Sequence, residues 1–466
     1  MPNQPTFDGR SAAVAAAGEQ GRSRPRARAA PRTGFKYLKS RDFPIHLLAV
    51  WWVFWLAASY TDLNEFIPPS GETVAQYAAF ILSFLLGHWL VKQANWFGLG
   101  TLSKRIRPFK SSSMRVRFAL VGAALLCSAM LLASLWLAGA LSSDFIEYFA
   151  KRRMDEGGLE GITGIRTLDV LTKILAFPLS YTVILIVLAS GIRRFRLTLT
   201  ICIINLLAFA YLWQVNYPLI HLFWFLVFHW LLLARRTGVL QRRPVIILLV
   251  LFLTLLASAA NRFGGDVIGG LQRYIVGYHL VGFSYYDHQY LNPNSILHAH
   301  SLGRSSLGFL DQMLEAVLKI LGVGYRAASF QNAEYNELPI DIGLNEIREF
   351  NAFGTFLFSL YRDFHVLGIV GGGFVYGALA THALYRSKYS WLSGALFLLL
   401  AASWMMGMMV NPLEEAYFWF TIVALGVFAL VNRRRSDLRS RYATRNPPPA
   451  ASRVLLGRSS PEPDVE

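Results

Sequence analysis

The chain has 466 residues, of which 54% are hydrophobic and only 16% charged, and its mean hydropathy is +0.39. That balance excludes a soluble multidomain packing, because a water-facing surface needs more polar side chains than this. A net charge of +17 would point a soluble chain towards nucleic acid, but membrane proteins use Lys and Arg to set topology, and no nucleic-acid partner is expected.

Residues 1–42 are rich in Arg, Ala, Ser and Gly, with no apolar core and no small-residue cleavage site. A disordered basic cytoplasmic tail is expected there rather than a signal peptide. Uncharged runs of spanning length then predict ten helices, at 43–59, 74–91, 118–141, 171–190, 197–213, 217–233, 244–260, 366–384, 391–410 and 416–431. With the N terminus inside, every inside connection is basic, and a second disordered basic tail fills 433–466. The expected fold is an all-α polytopic membrane protein with both termini cytoplasmic: spans one to seven in 43–260, a large periplasmic loop over 261–365, and spans eight to ten in 366–432. Cys127 and Cys202 lie inside apolar runs, which leaves neither a disulfide framework nor a Cys-rich metal site.

Two outer connections are long, 142–169 and 261–365, and long loops in compact proteins usually carry function. In the second, Ser305 or Ser306 can cap a helix whose apolar positions Leu307, Leu310, Leu314, Val317 and Leu321 step by three and four. Asp311, Glu315 and Lys319 form the opposite stripe, and Gly322 can end it. Two placements stand side by side for this amphipathic helix: on the outer membrane boundary, or packed on neighbouring spans within a small cap.

Ahead of that helix come Arg273, Tyr274, Tyr285, Tyr286, Asp287, His288 and Tyr290, followed by His298 and His300. Rings beside Asp, Asn and His suit carbohydrate, whose C–H faces stack while hydroxyls take directional hydrogen bonds; interfacial tyrosines also serve as anchors. The spacing of His298 and His300 could ligate a metal on a strand, but no acidic or Cys partners accompany them, so no metal site is expected. No Gly-rich phosphate loop is present. Within the spans, Lys173 can snorkel, His221 and His229 lie on span six, and Glu414 and Glu415 sit near water. The absence of midplane carboxylates argues against an ion-coupled transporter.

The segment 351–373 ends the long loop, with Arg362, Asp363 and His365 at the mouth of span eight. Arg362 and Asp363 either pair with each other or serve a site, and the spacing of Gly368, Gly372, Gly373 and Gly377 predicts close helix packing. No cytoplasmic connection is long enough for a nucleotide-binding domain, so a donor for chemistry outside has to arrive on a lipid.

The span order, the large late loop, Arg273 with Tyr274, and Asn351, Thr355, Tyr361, Arg362, Asp363, Phe364 and the following glycines resemble the bacterial O-antigen polymerases of the Wzy type and related repeat-unit polymerases. An Arg, ten residues, Gly pattern described for some of them is matched by Arg153 with Gly164 and by Arg362 with Gly373, a spacing that chance also produces in a chain with 37 glycines. One departure is His365, where relatives often have glycine. The resemblance implies a glycosyltransferase of the bacterial inner membrane that needs no cofactor. It transfers a growing glycan from undecaprenyl pyrophosphate onto a new lipid-linked repeat unit, in lipopolysaccharide or other polysaccharide biosynthesis. Its implied partners are the undecaprenyl-pyrophosphate-linked oligosaccharide, membrane lipid, a chain-length regulator and a flippase.

On this reading arginines meet the charge on the departing pyrophosphate: Arg273 and Arg362 first, then Arg262, Arg304 and Arg348. Asp363, His298, His300 or His365 acts as the base for the acceptor hydroxyl. Tyr274, Tyr285, Tyr286 and Asn351 bind sugar. An O-antigen ligase would share architecture and donor but use the lipid A core as acceptor. A lipid-linked oligosaccharide flippase would need an internal repeat and a polar path, and the sequence displays neither.

Overall fold

The computed structural model describes residues 42–61, 63, 65–96, 114–141, 162–191, 195–213, 215–237, 242–262, 267–336, 338–350 and 355–445. Along them the chain forms α1 (Phe43–Ala58), α2 (Gly71–Trp96), α3 (Met114–Leu137), α4 (Arg166–Ser190), α5 (Arg196–Trp213), α6 (Tyr217–Thr237) and α7 (Arg242–Arg262). The long segment then supplies α8 (Tyr278–Leu291), α9 (Gly308–Ile320), α10 (Ala328–Asn336) and the two-residue antiparallel strands β1 (Ile340–Asp341) and β2 (Glu349–Phe350). The chain continues as α11 (Phe356–Arg386), α12 (Trp391–Met406) and α13 (Ala416–Arg445).

Six of these helices, α2 to α6 and α11, are long and apolar enough to cross a membrane, and α1, α7, α12 and α13 carry shorter apolar stretches. The described residues are mostly helical, with one short strand pair and an isolated Phe66–Gly343 bridge, which is consistent with an all-α membrane protein. One difference from the expected plan lies at the C-terminal end, where helix continues to Arg445 through part of the segment read as disordered. Residues 1–41 and 446–466, the remainder of the two expected tails, lie outside the described residues.

Close backbone contact organises the centre. A Cβ on Gly87 of α2 would stand 2.2 Å from the Phe374 carbonyl oxygen, and one on Gly377 of α11 would stand 2.0 Å from that of Phe84. Only glycine permits this approach, which maximises dispersion contact where no hydrophobic effect drives helices together. Beside it, Trp52 Nε1 donates to the Trp404 carbonyl at 3.1 Å and Trp404 Nε1 to that of Leu48 at 3.0 Å, so both buried indole donors are satisfied. At one end of the bundle Asp42 ties three elements: it takes Lys92 at 2.7 Å and the Tyr385 hydroxyl at 2.7 Å, joining the start of α1 to the ends of α2 and α11.

The opposite end departs most from the sequence expectation. Helix α11 is broken at Phe364 and His365, the latter at φ +53. Residues 366–386 begin where span eight was expected, but 356–363 are not an exposed loop. They fold back beside the span as a buried half-helix: the Phe356 ring lies 5.4 Å from that of Tyr376 and 6.1 Å from that of Trp404. A Cβ on Gly368 would meet the Leu360 carbonyl oxygen at 1.9 Å. Most of α8 is likewise buried, its Gly282 lying against the Met408 backbone.

The amphipathic helix α9 runs from Gly308, later than a Ser305 or Ser306 cap would start it, and neither serine side chain caps it. Its acids are what it buries. Asp311 takes Arg304 Nε at 3.1 Å, the Tyr325 hydroxyl and the Ala328 N–H at 2.6 Å, while Glu315 takes the Ala327 N–H at 2.6 Å and Arg326 at 3.2 Å. Two carboxylates thereby satisfy donors at the start of α10, the end where the helix dipole favours negative charge. The apolar stripe faces away: Leu310, Leu314, Val317 and Leu321 are all exposed, and Gly322, at φ +75, ends the helix as expected.

Candidate functional site

Three other stretches of chain meet at the broken α11. The turn 296–301 docks onto it, with the Ser301 N–H donating to the Arg362 carbonyl at 3.0 Å. The end of α8 delivers Tyr290, and the start of α2 delivers Gln76, which accepts from the buried Tyr286 hydroxyl. The His365 ring stacks on His300 with centroids 4.0 Å apart and on Tyr361 at 4.8 Å. Tyr290 lies 5.6 Å from Tyr361, and His298 6.1 Å from it. His298 Nε2 pairs with the Tyr290 carbonyl at 3.1 Å. Three of the four expected bases therefore come together, although they are up to 67 positions apart in sequence. His300 is exposed and His298, His365 and Tyr290 are half-buried, so the cluster is open on one side. Imidazoles that can take a hydroxyl proton, beside rings that can carry a sugar face, are what the cluster offers chemically.

The fourth expected base, Asp363, is occupied. Its buried carboxylate accepts from Ser301 Oγ at 2.5 Å, from the Ser305 N–H at 2.9 Å and from the Ser306 N–H at 2.7 Å, which clamps the turn before α9. Arg362 does not pair with it. Only 3% exposed, Arg362 donates to the Ala328 carbonyl at 2.9 Å, to Asn332 Oδ1, to Gln331 Oε1 at 2.5 Å and to the Ala299 carbonyl at 3.4 Å. Four neutral acceptors use its fork, so the guanidinium fastens α10 to the half-helix and is closed to a phosphate in this arrangement.

The other candidates divide. Tyr285 and Tyr286 are fully buried, their hydroxyls held by Asn336 at 2.8 Å and by Gln76, so neither is a stacking platform; Tyr361 is also buried, packed against His365, and of the clustered tyrosines only Tyr290 is half-exposed. Arg304 is bound to Asp311, and Arg348 reaches Glu65 at 2.5 Å. Arg262, Arg273 and Tyr274 lie in helical backbone, but their side chains fall outside what is described, as do Asn351 and Arg153 altogether. Among the described residues no group of three or more His, Cys, Asp or Glu could hold a metal ion.

Glu414, which the sequence placed near water, is instead ringed by protein donors. It accepts from Ser359, from Asn332 Nδ2 at 2.9 Å, from Asn411 at 3.3 Å and from Ser305 at 3.4 Å. Burial holds its carboxyl above the ordinary value, against the pull of those donors. Asn332 links it to Arg362, so a buried cation and a carboxylate share one neutral bridge. The sequence signal for this was faint: Glu414 and Glu415 are adjacent acids in a short connection between two apolar runs.

Comparison with protein-family models, with curated proteins and with solved structures returned no match.

Proposed function

We propose that this chain is a glycosyltransferase that polymerises lipid-linked oligosaccharide repeat units at the outer face of a bacterial inner membrane. The observation that carries this reading is the open cluster of His298, His300, His365, Tyr290 and Tyr361 at the broken end of α11. It lies at the end of an apolar bundle, where a substrate carried on a lipid can reach it without leaving the membrane. Imidazole takes the acceptor hydroxyl proton and the half-exposed Tyr290 receives the sugar. The sequence resemblance to Wzy-type polymerases supports the same assignment, with an undecaprenyl-pyrophosphate donor and a lipid-linked acceptor.

On this reading the large segment is periplasmic, the termini are cytoplasmic and ten helices span. Asp363 and Arg362 act as positioning residues that hold the turn and α10 around the cluster. Among the expected arginines, Arg273 remains the first candidate for the pyrophosphate. The test is the lipopolysaccharide of a deletion strain complemented with the wild-type chain or with His300→Ala. Loss of polymer with a single repeat unit retained on the core is the expected result. Complete loss of repeat units would instead identify a ligase, and unchanged chain lengths would reject the reading.

A further inference from the structure

The start of α2 and the end of α8 meet through two pairs of residues, each four positions apart and so on one face of its helix: Glu72 with Gln76, and Tyr286 with Tyr290. The buried Tyr286 hydroxyl donates to Gln76 Oε1, which leaves the Gln76 amide N–H for the Tyr290 oxygen. The Tyr290 hydroxyl in turn donates to the Glu72 carboxylate. These hydrogen bonds run one way, from the interior to an exposed acid. Burial, and then the bond to Glu72, hold the Tyr290 hydroxyl above its ordinary value, so it keeps the proton that it donates.

The backbone that carries Glu72 is pinned on two sides. Ser70, just before α2, donates to Asp287 Oδ1 of α8 at 3.0 Å from N and 2.5 Å from Oγ. Tyr77 pairs with Thr355 Oγ1, the cap of α11, at 3.1 Å. Glu72 itself lies in the first turn of α2, where the helix dipole favours a negative group. The acid is therefore presented from a helix end fixed against both elements that build the imidazole cluster.

Tyr290 is the half-exposed ring of that cluster, 5.6 Å from Tyr361 and 6.2 Å from His298 between centroids, with the buried Tyr286 ring nearly parallel to it at 6.4 Å. A sugar stacked on such a ring lays its C–H face on the aromatic face and carries its equatorial hydroxyls out around the ring edge. Glu72 stands at that edge, bonded to the Tyr290 hydroxyl. A carboxylate has about four lone-pair sites; Tyr290 uses one, and the side chain is exposed, so acceptor capacity remains for a ligand. Asp363 cannot serve in this way, because it is buried and already holds three donors. We infer that Glu72 selects the sugar seated on Tyr290, accepting hydrogen bonds from neighbouring hydroxyls of a neutral ring and repelling an acidic one. This rests on the reading of Tyr290 as the ring that receives the sugar, and does not depend on which glycan transfer the chain performs.

The full chain in lipid nanodiscs, probed by saturation-transfer NMR with the methyl glycosides of a hexose, a 6-deoxyhexose and a hexuronic acid, tests this. At least one neutral glycoside is expected to receive saturation and the hexuronide to receive none. In Glu72→Gln, which keeps the shape and removes the charge, the neutral signal should weaken about five- to tenfold, as loss of a charge-assisted hydrogen bond predicts. The hexuronide signal should appear in the same variant, a gain that loss of structure does not produce. Tyr290→Ala should abolish binding of both. Thermal unfolding checks each variant, and if Glu72→Gln is unfolded, Glu72→Lys is read in its place, with the hexuronide then binding better than the hexose. The inference is overturned if no neutral glycoside binds, if the wild-type chain takes the hexuronide as well as the neutral sugars, if the folded Glu72 variant still excludes the hexuronide, or if binding survives Tyr290→Ala. Neutral-sugar binding with no effect of gene deletion on polymer would sink the polymerase reading and leave the role of Glu72 standing; loss of polymer on deletion, with the wild-type sugar preference kept in Glu72→Gln, would sink the role of Glu72 alone.

Discussion

His365 lies flat against His300, ring centroids 4.0 Å apart and planes 16° from parallel, while its own backbone sits at φ +53. A side chain in that region costs on the order of 1 kcal/mol or more, and glycine would adopt it freely. The turn that reverses α11 therefore carries a ring where the backbone favours none.

From this follows a separation of stability from activity. His365→Gly should unfold at a higher temperature than His365→Ala, by the roughly 1 kcal/mol of relieved strain, yet both should lose polymer to the same extent. Thermal unfolding in detergent and glycan ladders in complemented cells measure the two effects. Full activity in His365→Gly would remove the imidazole from the chemistry.

Asp363 leads to a different expectation. With Ser301, Ser305 and Ser306 all donating to it, Asp363→Asn places an amide against at least one N–H that it cannot accept. The variant should lose roughly 2–3 kcal/mol, the cost of breaking charge-assisted bonds in a buried site, and 299–307 should become open to limited proteolysis. Normal protease resistance with abolished activity would restore Asp363 as a base.

How much of this was legible beforehand follows from how each signal is encoded. The apolar stretches in α1 to α7 and in α11 to α13 fall on the runs of uncharged residues, because spanning a membrane leaves a contiguous record in one dimension. Gly373 and Gly377 were likewise readable, since small-residue packing has a fixed period, and Gly322 stopped α9 where a glycine should. The half-helix 356–363 was not, because its eight residues are too short to register as a span and Arg362 with Asp363 made it look water-facing. Only the partners contributed by α10 and the 301–306 turn reveal why both charges are buried. The inward face of α9 was hidden for the same reason: the acids of its polar stripe are satisfied by Ala327, Ala328, Arg304 and Arg326, which lie 7 to 17 positions away.

Glu415 gives the chain a pH dependence. Burial, and then the neighbouring Glu414, push its carboxyl up to about 7 from an ordinary 4.5. The folded state thus holds a proton that the unfolded chain releases at lower pH. The stabilisation is fully present below the ordinary value and is lost as pH rises through about 7. The unfolding temperature should fall between about pH 5 and pH 8, and Glu415→Gln, which mimics the protonated group, should flatten that slope. An unchanged slope in the variant would assign the dependence to another group.

The outward stripe of α9 sets the last expectation. Leu314 and Val317 are 46% and 54% exposed, on a helix whose acids are held inward by α10 and the chain around it. In water such a face would be an aggregation liability; against lipid it is stabilising, by roughly 25 cal/mol for each Å² of apolar surface covered. A nitroxide on Leu314→Cys should therefore collide more with oxygen, which concentrates in the bilayer, than with a water-soluble nickel chelate. Lys319→Cys, on the polar side of the same helix, should show the reverse. Cys127 and Cys202 are buried and leave the label specific. Equal nickel access at both positions would place α9 in water and favour the alternative in which it is one layer of a cap, whose exposed leucines then require a protein partner.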